Sequence, residues 1–205
     1  MVGLVLVHLL APVRHWDDHV NSWFAAHRHP RWDRLSKDGT FVANTLGVVV
    51  VAAVVSLFGL LRRWGRTAAL LLVGLAVELS VFLTVNYTVA RPRPAAPHLG
   101  STPSTYSFPS GHVAATFVLY GGIAVLVAAR TRHPLARAAA WLLAAVFVSW
   151  VAFSRVYEAQ HHPTDVMAGL AMGIGALIIA VLAVRPAGPR ASTRPEDSSP
   201  EEVVR

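Results

Sequence analysis

The chain contains no cysteine and little charge. Charged residues make up 14% of its 205 positions, where a soluble domain carries about a quarter. The missing cysteines exclude disulfides and thiolate metal sites. The scarcity of charge, set beside a hydrophobic share of 54%, excludes an ordinary soluble domain. No basic stripe is interleaved with aromatic residues, so the net charge of +7 does not imply nucleic acid; arginines flanking membrane spans account for it. The apolar run 2–13 has neither a basic region before it nor a small-residue cleavage site after it, which argues against a signal peptide. There is no internal repeat.

What is present is a series of long apolar blocks. Five are long enough to cross a bilayer, at 43–61, 67–89, 111–130, 136–153 and 165–184, and 2–13 is a short or incomplete sixth. The pattern predicts an all-α polytopic membrane bundle of about six transmembrane helices. Residues 1–42 form a short apolar helix followed by a polar, aromatic segment, 14–41. Its indoles, Trp16, Trp23 and Trp32, suit the headgroup level of a membrane interface. Residues 43–185 form the core, and 186–205 a disordered tail almost without apolar residues.

Six spans put both termini on one side, with ten basic residues there against eight on the other. The excess rises to ten against five when Arg91, Arg93 and Arg155 are set aside as functional. The positive-inside rule then predicts a cell-membrane protein with cytoplasmic termini and with the loops 90–110 and 154–164 on the outer face.

Those loops carry the unusual chemistry. The first opens with ARPRP, residues 90–94, and closes with FPSGH, residues 108–112; the second is SRVYEAQHHPTD, residues 154–165. Ser110 suits an N-cap, with Gly111 and His112 in the first helical turn, where free N–H groups and the helix dipole favour an anion. Gly111 permits close approach of a ligand to the backbone. Arg91, Arg93 and Arg155 supply guanidinium forks that match phosphate oxygens. Pro163 begins the last helix, and Asp165 is placed to accept from one ring nitrogen of His161, leaving the other as base or nucleophile. A metal site at His112, His161, His162 and Asp165 is the rival, but three nearby guanidinium groups would repel a cation. Elsewhere, Glu78 in mid-span costs about 2.5–3.5 kcal/mol if left charged against lipid and suits a structural hydrogen bond. Asn86 suits an interhelical one, and Gly169, Gly173 and Gly175 suit close helix packing. The stretch 101–107 is either a headgroup loop or a solvated connector.

Taken together, Arg91-Pro92, Pro109-Ser110-Gly111-His112 and Ser154-Arg155 with His161 and Asp165 resemble the type 2 phosphatidic acid phosphatase family. The resemblance implies a metal-independent, cofactor-free lipid phosphatase. In that reading His161 is the nucleophile that becomes phosphohistidine, Asp165 orients it, and His112 is the general acid. Arg91, Arg155, Ser110 and Gly111 hold the phosphate oxygens, and His162 lines the rim or caps the helix. The family's first motif carries a lysine where this chain has Thr84: either Arg93 or another cation takes that role, or phosphate binding is weaker, or the substrate set is shifted. The expected partners are the bilayer and a lipid phosphate, with polyprenyl diphosphate first and phosphatidate or phosphatidylglycerol phosphate next. Two alternatives share these residues: a catalytically silent lipid-phosphate binding or transport protein, and a vanadate-dependent haloperoxidase, which the membrane spans disfavour.

Overall fold

The computed structural model describes residues 11–184, and all regular structure among them is helical. Seven helices follow one another: α1 (Ala11–Ala26), α2 (Pro30–Val42), α3 (Thr45–Leu61), α4 (Gly65–Val89), α5 (Gly111–Arg130), α6 (Pro134–Tyr157) and α7 (Pro163–Ala183). The short span expected at 2–13 and the tail at 186–205 fall largely or wholly outside the described residues.

Helix starts follow local chemistry. Pro30, Pro134 and Pro163 stand in the first turn of α2, α6 and α7, where a missing N–H costs nothing. Asn44 starts α3, its side-chain oxygen accepting from the Gly47 N–H at 2.6 Å. Four helices, α4 to α7, are long and apolar enough to cross a membrane; α2 and α3 make a fifth candidate if their pair, bent by 50°, is one span. Helix α6 extends beyond the expected 136–153 at both ends, so Ser154 and Arg155 belong to its last turn rather than to a loop.

Helix α5 is central and packs on α4, α6 and α7, while α4 also packs on α3 and α7. Side chains are sorted as the bilayer requires. Large apolar residues such as Val54, Leu57, Leu72, Leu142 and Ile179 are exposed, and small ones such as Ala52, Ala114, Ala124 and Ala180 are buried between helices. Lipid is as apolar as leucine, so helix association relies on close backbone approach instead. Gly169 meets the Ser110 carbonyl, and a Cβ at Gly173 would lie 2.8 Å from the Ala114 carbonyl. Gly175 departs from the expected packing role, since a Cβ there would meet nothing within 4 Å.

The segment 14–41 is more than an interfacial appendage. Trp16, Trp23 and Trp32 are half exposed, as indoles at headgroup level should be. The opposite faces of α1 and α2 bury Asp17, Asn21, Ser36 and Gly39, with α2 lying on α6. The loops 90–110 and 158–162 meet at one end of the bundle, joined by the Leu99 N–H to the Glu158 carbonyl at 3.0 Å. At the other end Arg62 and Arg130 lie over the Trp64 ring, 5.6 and 3.9 Å from its centroid.

Because α7 touches the α5 N-terminus at Gly169, Gly169→Ala should lower stability by about 1–3 kcal/mol and reduce activity by displacing the Ser110–Gly111 turn. Gly175→Ala should leave both unchanged. Thermal unfolding in detergent micelles and phosphate release from a lipid phosphate check this contrast.

Candidate active site

The site is built from the turn that follows α6. The Arg155 carbonyl accepts two N–H groups, from Gln160 at 3.0 Å and His161 at 3.1 Å, which winds the chain back over the end of its own helix. The turn needs a left-handed residue, and Ala159 takes that conformation with φ 56° despite its Cβ. Asn21 of α1 clamps the result, donating to the Val156 and His161 carbonyls at 3.1 Å each. His161 is thereby held beside Arg155.

The opposing loop is stapled by Asn86, near the end of α4. Its amide donates to the carbonyls of Tyr106 and Phe108 at 2.9 and 3.0 Å and accepts from the Tyr106 N–H at 3.1 Å. Asn86 thus bonds a loop rather than a neighbouring helix. Stretch 101–107 becomes part of the site through this staple, because it delivers Ser107. The Ser107 carbonyl lies 2.6 Å from His161 Nδ1. A carbonyl can only accept, so Nδ1 carries the proton and Nε2 keeps its lone pair.

That contact corrects the expected pairing of His161 with Asp165. Asp165 Oδ2 lies 3.9 Å from His161 Nδ1, beyond hydrogen-bond reach. The carboxylate is occupied otherwise. Oδ2 accepts from the His162 N–H at 2.8 Å, from the Ser107 hydroxyl, and stands 3.0 Å from His162 Nδ1; Oδ1 takes Arg91 Nη1 at 2.5 Å. His162 is the N-cap of α7, so the reach of Asp165 back to its N–H is one half of a capping box. Of the two histidines, His162 is the nearer to Asp165, and His161 is the one that lines the cavity.

Arg91, expected among the phosphate ligands, lies behind the cavity wall. Its guanidinium bridges Asp165 and Asp17, with Nη2 at 2.8 Å from Asp17 Oδ2, and Nη1 also reaches Thr164 Oγ1 at 2.8 Å. Asp17 is fully buried and caps the same turn of α7, accepting the Thr164 N–H at 3.1 Å and the Thr164 hydroxyl at 2.5 Å. The sequence reading missed Asp17, whose signal was a carboxylate pair, Asp17-Asp18, beside an apolar run. It missed Glu158 and Thr40 too: Arg155 Nη1 donates to both, at 3.1 and 3.2 Å, and Thr40 donates to Glu158 at 2.8 Å.

A cavity of about 310 Å³ lies in front of these residues, between α3, α4 and α5. His161, His112, Gly111 and Arg93 form its polar part, and Leu75, Leu79, Phe82, Val48 and Ala115 its apolar part. Arg93 is fixed at the rim by the Gln160 carbonyl at 2.6 Å and the Thr105 carbonyl at 3.0 Å. Thr84 bonds the Ser80 carbonyl of its own helix at 2.8 Å and is exposed away from the cavity. Ser110 is the N-cap of α5, yet its hydroxyl makes no capping bond; it is buried without a partner, as are Nε and Nη2 of Arg155. Buried donors without acceptors are rare, and these three, one at the N-terminus of α5 and two on Arg155, suit an oxyanion. Among the described residues no three His, Asp or Glu side chains are grouped to hold a metal ion.

Burial pushes the His161 pKa well below the usual histidine range, and the Arg155 charge pushes it the same way; Asp165 opposes both. The ring is therefore neutral near pH 7. Burial also lowers the Arg93 pKa from its ordinary value and raises that of Glu158.

Two histidines, a guanidinium group and a helix N-terminus above an apolar wall make a site suited to an anionic group on an apolar tail. The chain belongs to the PAP2 superfamily, whose family model matches residues 66–188. Two solved structures share the fold. One is the first transmembrane PAP2 type phosphatidylglycerolphosphate phosphatase from Bacillus subtilis, with TM-score 0.80 and 20% identity over 89% of this chain and 90% of that one. The other is Aquifex aeolicus LpxE, with TM-score 0.66 and 19% identity over 86% and 99%. No curated protein matches the chain by sequence.

Two outcomes test this geometry. Asp17→Asn removes one charge from the buried Arg91 bridge and should destabilise by about 3–5 kcal/mol, seen as a lowered thermal midpoint in detergent. For His161, the unfolded ring gains a proton near pH 6.5 and the folded ring does not. Its contribution to stability is thus full above pH 6.5 and declines as pH falls, by up to about 1.4 kcal/mol per pH unit. The thermal midpoint should drop more steeply from pH 6.5 to 5 in the wild type than in His161→Gln.

Proposed function

We propose that the protein is a membrane lipid phosphatase working through a phosphohistidine on His161. The observation that carries this is the continuity of one cavity, from His161, His112 and Arg93 at its polar end to an apolar wall on α3 and α4. A lipid phosphate has that same division.

In this reading Nε2 of His161 attacks phosphorus while Nδ1–H stays on the Ser107 carbonyl, which keeps the attacking lone pair in place. Asp165 supplies negative charge 3.9 Å away for the imidazolium-like ring that forms, and it fixes Ser107 and the α7 cap. Arg155, Arg93, the Ser110 hydroxyl and the Gly111 N–H hold the non-bridging oxygens, where charge builds through transfer. Arg91 acts one layer back, by setting Asp165. His112 protonates the departing lipid oxygen, then takes a proton from the water that cleaves the phosphohistidine.

The site faces the outer leaflet in this proposal. The arginine-flanked end at Arg62 and Arg130 is the cytoplasmic one, together with the chain after α7. An outward site gave polyprenyl diphosphate its first rank among substrates, as in recycling of a carrier lipid, with phosphatidate and phosphatidylglycerol phosphate behind.

Phosphate release from a panel of lipid phosphates, with acid-labile phosphoenzyme trapped in parallel, tests the proposal. His161→Ala should abolish both signals. His112→Ala should lower turnover by about 10²–10⁴ and let phosphoenzyme accumulate when the leaving group is good. His162→Ala should cost far less than either. Undiminished hydrolysis by His161→Ala would sink the assignment; a wild type that binds lipid phosphates without releasing phosphate would favour the silent binding protein.

A further inference from the structure

Glu78 is the one carboxylate among the described residues that line the cavity, and the phosphatase chemistry does not use it. It is 5% exposed, yet it makes no hydrogen bond and no ion pair with any described residue. The structural hydrogen bond expected for it is not made. A carboxyl in mid-membrane without a protein partner is costly to keep, and such residues mark sites where a ligand supplies the partner.

Its depth indicates which part of a ligand it meets. The Phe82 ring stands level with Gly111, where a Cβ would lie 3.0 Å from it. Glu78 is one helical turn earlier on α4, about 6 Å further from the phosphate end. Leu75, Leu79 and Val48 share that level of the wall. A lipid phosphate held at His161 would therefore place beside Glu78 the atoms a few bonds beyond its phosphorus. In a glycerolipid these are ester oxygens, which accept a hydrogen bond from the carboxyl in its neutral form. In a polyprenyl monophosphate they are hydrocarbon, which leaves the carboxyl unsatisfied.

We propose that Glu78 is a specificity-determining residue that donates a hydrogen bond to the glycerol-ester region of the substrate, so that the cavity selects glycerolipid phosphates over polyprenyl monophosphates. This rests on the lipid-phosphatase reading.

The test compares two phosphomonoesters, dioctanoyl phosphatidate and farnesyl monophosphate, in detergent micelles with the full chain. The wild type should prefer phosphatidate in kcat/KM. Glu78→Leu should lower kcat/KM for phosphatidate, mainly through KM, and raise it for farnesyl phosphate, shrinking the preference by about tenfold or more. Glu78→Gln keeps a hydrogen-bonding group and should retain most of the preference. Turnover of farnesyl phosphate by Glu78→Leu also shows that the variant is folded. Equal losses on both substrates, or a preference that Glu78→Leu leaves intact, would overturn this inference and leave the phosphatase reading standing. If the wild type hydrolyses neither lipid, both fall together.

Discussion

The site depends on one buried guanidinium. Arg91 sits between Asp165 and Asp17, 2.5 and 2.8 Å from their oxygens, with all three side chains nearly or wholly out of solvent. Each group would be expensive to bury alone. Held together they join three pieces of chain: α1 through Asp17, the end of α4 through Arg91, and the first turn of α7 through Asp165 and Thr164. Asp165 passes the constraint on. By accepting from Ser107 and from the His162 N–H, it positions the loop whose carbonyl fixes the His161 tautomer. The carboxylate beside the His161 ring is thus set by residues that do not line the cavity.

The layer around Arg155 and Ser110 is left incomplete. Arg155 satisfies Nη1 with Glu158 and Thr40 but leaves Nε and Nη2 without partners, and the Ser110 hydroxyl declines its capping bond. A fold selected for stability alone would close these bonds. In the proposed reaction these open donors would be preorganised, their desolvation cost met before a phosphoryl group arrives.

The bilayer explains how the scaffold tolerates this. In lipid, backbone polar groups off the helices need partners within the protein. The two site loops find them in one another, through Leu99 to Glu158, Arg93 to Gln160, and His161 to Ser107. Glycine contacts at Gly169 and Gly173 then bring α7 against α5 closely enough to seat the two loop ends side by side. Large residues that would anchor a soluble core face outward to lipid instead.

Long apolar blocks fixed the all-helical membrane class, because a lipid-spanning segment must bond its own backbone. Local chemistry fixed much of the site too: Ser110 and His162 stand at the N-cap positions of the helices that their neighbours predicted, since a helix start depends on a few adjacent residues. The family was legible in three short motifs for the same reason, as helix ends carry their chemistry in contiguous residues. Partnership was not legible. Spacing of four residues suggested that Asp165 bonds His161, but a helix turn brings it close to His162 as well, and only the packed loop decided which nitrogen meets the Ser107 carbonyl. Asp17 and Arg91 are 74 residues apart, and nothing local marks either for the other. Glu78 gave a sign of cost in the sequence and no sign of use. That a cavity opens beside it, one turn from the histidines, was decided by how α3, α4 and α5 pack, because long-range packing is where a charge finds or lacks its partner.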